Sequence, residues 1–207
     1  MTGAVDADPE ALQTELERIK DAMGLRDRYP SQFGLWLVYG ALVLAASLSS
    51  QLIVLRGLAG WWHAVAWFVL MGAGGLYSWR RQSADRTSAN DARPNVLLQG
   101  AAVAALYVVF AIGLAPVLDG VTGRLAAITI FSLVVGLVGT AYLVTGESLK
   151  AYFIRRRDRY AFYFGGAWML VLAAIMPNVP ALRTWGYTVF GVAYAIHAVV
   201  AYVVLSR

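Results

Sequence analysis

The chain has 207 residues, of which 59% are apolar and 14% charged, with 17 basic and 12 acidic side chains and a formal net charge of +5. A soluble domain carries roughly 25% charged residues, so this composition, with a mean hydropathy of +0.61, excludes an ordinary water-soluble fold and makes a bilayer the natural solvent. Cysteine is absent, which removes disulfides, thiolate metal sites and cysteine nucleophiles; the basic residues stand beside apolar runs, which argues for topology signals and against nucleic acid.

Residues 1–32 form the one sizeable polar segment and are read as a cytoplasmic N-terminal unit ahead of a transmembrane domain over 33–207. The first residues have neither a basic cluster nor an apolar stretch, so no cleaved signal peptide is expected. Asp8-Pro9-Glu10 reads as an N-cap with proline at the first helical position. Leu12, Leu16, Ile19 and Met23 then recur at helical spacing before Gly24. The spacing predicts a short amphipathic helix over about 9–23. Its stripe either packs on the bundle and membrane surface or docks a cytoplasmic partner or a second copy.

Six apolar spans follow: Phe33–Leu55, Trp61–Trp79, Val96–Leu118, Leu125–Gly146, Tyr160–Met176 and Trp185–Leu205. At 1.5 Å rise per residue each is long enough for a hydrocarbon layer of roughly 30 Å, the fifth being the shortest. The connections after the first, third and fifth spans are short and carry turn residues, namely Arg56-Gly57, Asp119-Gly120 and Pro177-Asn178 with Pro180. The expected fold is therefore all-α, with six transmembrane helices in three hairpins.

Orientation follows from the basic residues. Fourteen of the 17 fall in the N-terminal segment, the second and fourth connections and Arg207, leaving Arg56, Arg124 and Arg183 for the opposite side. By the positive-inside rule both termini are cytoplasmic, in a multi-pass protein of the cell membrane. Trp61, Trp62 and Trp185 at the outer boundary, with Trp36 and Trp79 near the inner one, are expected as interfacial anchors.

The even-numbered spans share Gly-x-x-Tyr, at Gly74/Tyr77, Gly139/Tyr142 and Gly191/Tyr194, and the odd-numbered ones carry an early glycine, Gly40, Gly100 or Gly166. Pro116 and Pro177 close spans three and five. In this pattern the chain resembles the HdeD-type family of small six-span membrane proteins. That resemblance implies helical hairpins and an association with acid-stress resistance, and it brings no catalytic residue with it. The first span lacks the closing proline, and the amphipathic segment and the basic loop are further departures.

An ionisable group inside a bilayer is costly and is the default functional pointer. No Asp, Glu, Lys or Arg lies in the middle of a span, and His197 is the one titratable residue deep in one. Its neighbours a turn away, Ala193 and Ala201, suit a helix contact. It is expected either as a neutral imidazole bonded to a hydroxyl or carbonyl of another span, or as a gate or substrate contact. With Ser47, Tyr107, Ser132 and Thr140 it makes the candidate intramembrane polar site. The only other histidine is His63, near the outer surface, so no metal or haem ligation, and no cofactor, is expected. Rhomboid proteases are similar in having serine on the fourth and histidine on the sixth of six core spans, where Ser132 and His197 stand. Phe131-Ser132-Leu133 departs from that family's Gly-x-Ser-Gly, and the long first external loop is missing, so no catalytic residue is assigned.

Small residues at four-residue spacing occur at Ala41/Ala45/Ser49, Ala101/Ala105, Gly136/Thr140 and Gly191/Ala195, serving either internal packing or a subunit interface. Arg155, Arg156, Arg157 and Arg159 either mark topology alone or attract anionic lipid. The leading expectation is a non-enzymatic protein acting as a homo-oligomer or as the membrane subunit of a larger assembly. A transporter or channel for a small or apolar solute is the alternative, and a membrane enzyme comes third.

Overall fold

The computed structural model describes residues 30–84, 96–121, 123–149 and 156–206, together with positions 12, 14, 15 and 18. Among these residues the regular structure is entirely helical. The long helices are α1 (Pro30–Arg56), α2 (Trp61–Ala84), α3 (Val96–Gly113), α4 (Gly123–Ser148), α5 (Arg156–Ile175) and α6 (Pro180–Ser206). A four-residue helical turn, Ala115–Leu118, follows α3 and has Pro116 in its first turn, where its missing N–H costs nothing. In the N-terminal segment Leu12, Thr14, Glu15 and Arg18 are helical and exposed; Leu16, Ile19 and Met23 lie outside the described residues.

Among the described residues three stretches are long and apolar enough to cross a membrane, Gly34–Arg56, Gly123–Ser148 and Pro180–Ser206, and Arg159–Ile175 is a shorter apolar helix. In these stretches and in α2 and α3, apolar side chains point outward as readily as inward. Val69, Ile112, Val171 and Ile196 are all at least 60% exposed, a distribution that water would penalise and lipid would not.

The predicted turns have identifiable caps. α1 ends in a Schellman motif: Gly57 has φ of 61°, Leu58 N–H donates to the Ile53 carbonyl at 3.0 Å and Gly57 N–H to that of Val54 at 3.3 Å. Only glycine enters that left-handed conformation without penalty. Gly120, with φ of 87°, turns the chain between the Ala115–Leu118 turn and α4. After α5, Asn178 Nδ2 donates to the Ala174 carbonyl at 2.8 Å and Arg183 Nε to that of Pro177 at 2.7 Å, before Pro180 opens α6.

Tight turns do not dictate the packing partners. The most extensive packing joins α1 to α6 and α4 to α5; α1 also packs on α2, whereas the expected hairpin pairs α3–α4 and α5–α6 touch only slightly. Close approach of backbones explains the choice. A Cβ on Gly40 would meet the Ala198 Cβ at 2.7 Å and one on Gly191 the Ser47 Cβ at 2.6 Å, across α1–α6. Across α4–α5, a Cβ on Gly166 would lie 2.6 Å from the Gly139 carbonyl oxygen. With no hydrophobic force to press helices together in lipid, such contacts supply much of the packing attraction. Between the seams lies a core of Val43, Ile128, Phe131, Val135, Met169, Leu172, Met176, Tyr187, Phe190 and Tyr194.

The three repeat glycines share a task. Gly74 abuts Leu42 and Tyr39 of α1, Gly139 abuts α5, and Gly191 abuts α1. Their tyrosines do not: Tyr142 and Tyr194 bond to each other at 2.5 Å, while Tyr77 is exposed.

Candidate functional site

His197 is the centre of an aromatic cluster drawn from four helices. It lies on α6, is 6% exposed, and has the rings of Trp36 (α1), Tyr142 (α4), Phe164 and Trp168 (α5) at centroid distances of 5.7, 6.3, 6.1 and 6.2 Å. Gly165 makes room for the imidazole, because a Cβ there would stand 2.7 Å from His197 Nε2 and 2.8 Å from the Tyr142 ring. Nε2 is sealed from solvent and has no hydrogen-bond partner, as is the indole Nε1 of Trp168. Nε2 therefore makes no bond to a hydroxyl or carbonyl of another span. Ring faces and edges line the imidazole instead, since a glycine-lined gap beside large aromatics is filled most completely by a flat ring.

Trp36 is half-buried, packing edge-on to Tyr142 at 6.2 Å and tilted on Phe162 at 5.2 Å. Trp61, Trp62, Trp79 and Trp185 are exposed, and Trp61 stacks on Trp62 at 4.1 Å.

The remaining candidates are not joined to His197. Ser132 Oγ donates to the Thr129 carbonyl of its own helix at 2.7 Å, and Thr140 Oγ1 to that of Gly136 at 3.0 Å. Such back-bonding satisfies a hydroxyl within one helix and leaves it little to offer a neighbour. Ser47 is fully buried against Gly191 with its Oγ unpartnered. Tyr107 has a helical backbone in α3 and a side chain outside the described set. Among the described residues no hydrogen bond connects any two of the five. A serine–histidine pair capable of nucleophilic attack requires one.

Two polar devices went unnoticed in the sequence. Gln51 ties α1 to the N-terminal end of α6: its Nε2 donates to the Thr184 carbonyl at 2.7 Å, and its Oε1 accepts from Thr188 Oγ1 at 3.2 Å and Thr188 N–H at 3.4 Å. An amide inside the first apolar span, next to Ser49 and Ser50, was the available signal. The second is a set of inter-helix bonds in which Trp67 Nε1 donates to Ser50 Oγ at 3.0 Å and Tyr39 Oη pairs with Ser78 Oγ at 2.9 Å. His63 stacks on Tyr187 at 5.2 Å, far from His197 in the packing. Among the described residues no three His, Cys, Asp or Glu side chains group as metal ligands.

Of the expected basic surface, Arg156 and Arg157 open α5 and Arg159 follows within its first turn; Arg155 lies outside the described residues. The chain matches no protein-family model, no curated protein and no solved structure. The hairpin resemblance stands on the residue pattern alone.

Proposed function

We propose that this is a cell-membrane protein of six crossings, with both termini in the cytoplasm, that works without covalent chemistry as a homo-oligomer or as the membrane subunit of a larger assembly. The asymmetry of basic residues supports the topology. Contacts with cytoplasmic partners would run through residues 9–23 and the basic loops.

One observation carries the assembly reading. Gly136 of α4 and Ala195 of α6 serve internal seams, beside Ala173 and Gly40 respectively. Ala41 and Ala45 of α1, Ala101 and Ala105 of α3, and Thr140 of α4 are exposed instead. An outward small-residue face lets a second helix approach closely in lipid, which bulky side chains on the same helices would prevent. The absence of cysteine makes the test direct. Single substitutions Ala41→Cys, Ala45→Cys, Ala101→Cys and Ala105→Cys should give disulfide-linked dimers in native membranes for at least one helix. A strict monomer in mild detergent, with no cross-link and no co-purifying protein, would overturn the reading.

A transporter or channel is the second reading, favoured by the sealed and unpartnered Nε2 of His197. Solute flux in proteoliposomes that falls on His197→Ala replaces the first reading with this one. For the enzyme reading, Ser132→Ala is expected to leave substrate levels and phenotype unchanged, because its hydroxyl serves only the Thr129 carbonyl.

A further inference from the structure

The start of α5 breaks an electrostatic rule. The free N–H groups of a helix's first turn carry partial positive charge, so acidic residues stabilise that end and basic ones oppose it. The first turn of α5 reads Arg156-Arg157-Asp158-Arg159, three positive charges against one negative. Lys150 and Arg155 precede it in the chain with the same sign. Arg159 is only part-exposed, and its Nε is closed to solvent without a hydrogen-bond partner. The last carboxylate of α4, Glu147, accepts a hydrogen bond from Tyr163 Oη at 2.7 Å. Local conflicts of this kind are expected at functional or strained sites.

Below the arginines the same helix turns apolar. Tyr160 and Phe164, one turn apart, are 62% and 68% exposed, and Val171 continues the stripe at 62%. A ligand that suits this surface has an anionic head and an apolar tail. A guanidinium binds phosphate through two parallel N–H bonds, and the helix N–H groups add to the attraction.

We infer that the first turn of α5 is a binding surface for the phosphate headgroup of an anionic phospholipid, anchored by Arg159, with the acyl chains lying along Tyr160 and Phe164. It rests on the six-crossing reading, which puts this helix end at a membrane surface.

The probes are a phosphatidylglycerol, a phosphatidylcholine of the same acyl chains, and inorganic phosphate, each added to the purified protein in neutral detergent. Native mass spectrometry counts bound lipid. Phosphatidylglycerol should bind the more tightly of the two lipids, and each arginine removed should weaken it about fivefold. Arg159→Gln tests the anchor and Arg156→Gln/Arg157→Gln the rest of the turn, so a failure of one variant to fold leaves the other to decide. Arg124→Gln, on the opposite connection, should change nothing. Equal phosphatidylglycerol binding by these variants and the parent would overturn the proposal. So would full displacement of the lipid by millimolar phosphate, which indicates a free-anion site. Topology is read separately by Ser206→Cys: labelling by an impermeant maleimide in intact cells contradicts a cytoplasmic C-terminus and leaves the detergent result to stand or fall by itself.

Discussion

The α4–α5 and α1–α6 seams bring helices to similar distances by different means. At α4–α5 the obstacle to any side chain is backbone: the Gly139 carbonyl faces Gly166, and the Gly166 carbonyl lies 3.0 Å from where a Cβ on Gly139 would be. At α1–α6 the obstacle is a side chain, Ser47 or Ala198, and Gln51 adds a polar clamp at the N-terminal end of α6. A backbone contact cannot be relieved by trimming a neighbour, whereas a side-chain contact can. The first seam should therefore be the less forgiving one, and the second should be tunable in steps.

The largest effect that sharpens this contrast is expected from Gly166→Val, which forces a branched side chain onto the Gly139 carbonyl and the Leu143 side chain. Overpacking of this kind costs about 3 kcal/mol, read by unfolding the protein with dodecyl sulfate in mixed micelles. A loss no greater than that of Gly191→Ala would break the distinction. Gly191→Ala should cost about 1.5 kcal/mol, and Ser47→Gly in the same chain should restore most of it, because the conflict lies with the Ser47 Cβ. The coupling is measured by a double-mutant cycle.

Gln51→Leu follows, at about 1 kcal/mol, the scale of inter-helix hydrogen bonds in membranes. Replacing Gly139 or Gly166 has no such polar counterpart to lose. Tyr142→Phe and Tyr194→Phe should each cost about 0.6 kcal/mol and the pair together no more, since they share one bond. Smallest of all, Ala105→Leu on the outward face of α3 should stay within about 0.5 kcal/mol for folding while reducing dimer cross-linking from Ala101→Cys.

Much of this was legible because it is local. Gly57 and Gly120 marked turns through the φ values only glycine adopts easily, whereas Pro180, read as part of a turn, opens α6 five residues ahead of the expected start at Trp185. His197 stood out as the one deep titratable side chain. Its surroundings did not, because Trp36 carries an apolar body and a polar edge that suit a membrane boundary and an aromatic cluster equally well. Ser132 and Thr140 looked available in the sequence, yet each is satisfied by a carbonyl three or four residues back, a bond that residue type alone does not announce.

The sequence by itself determined that the chain is built of apolar helices, roughly where they lie, and which positions are small enough for close contact; the helix ends differ from that reading, α6 opening at Pro180 and not at Trp185. Those properties depend on neighbours within a turn or two of the chain. Only the tertiary structure decided that α1 seeks α6 and α4 seeks α5, and that Gln51 reaches Thr184 and Thr188. Glycine on one helix permits an approach without naming the partner, and the partner is settled by which surfaces, distant in the chain, fit against each other.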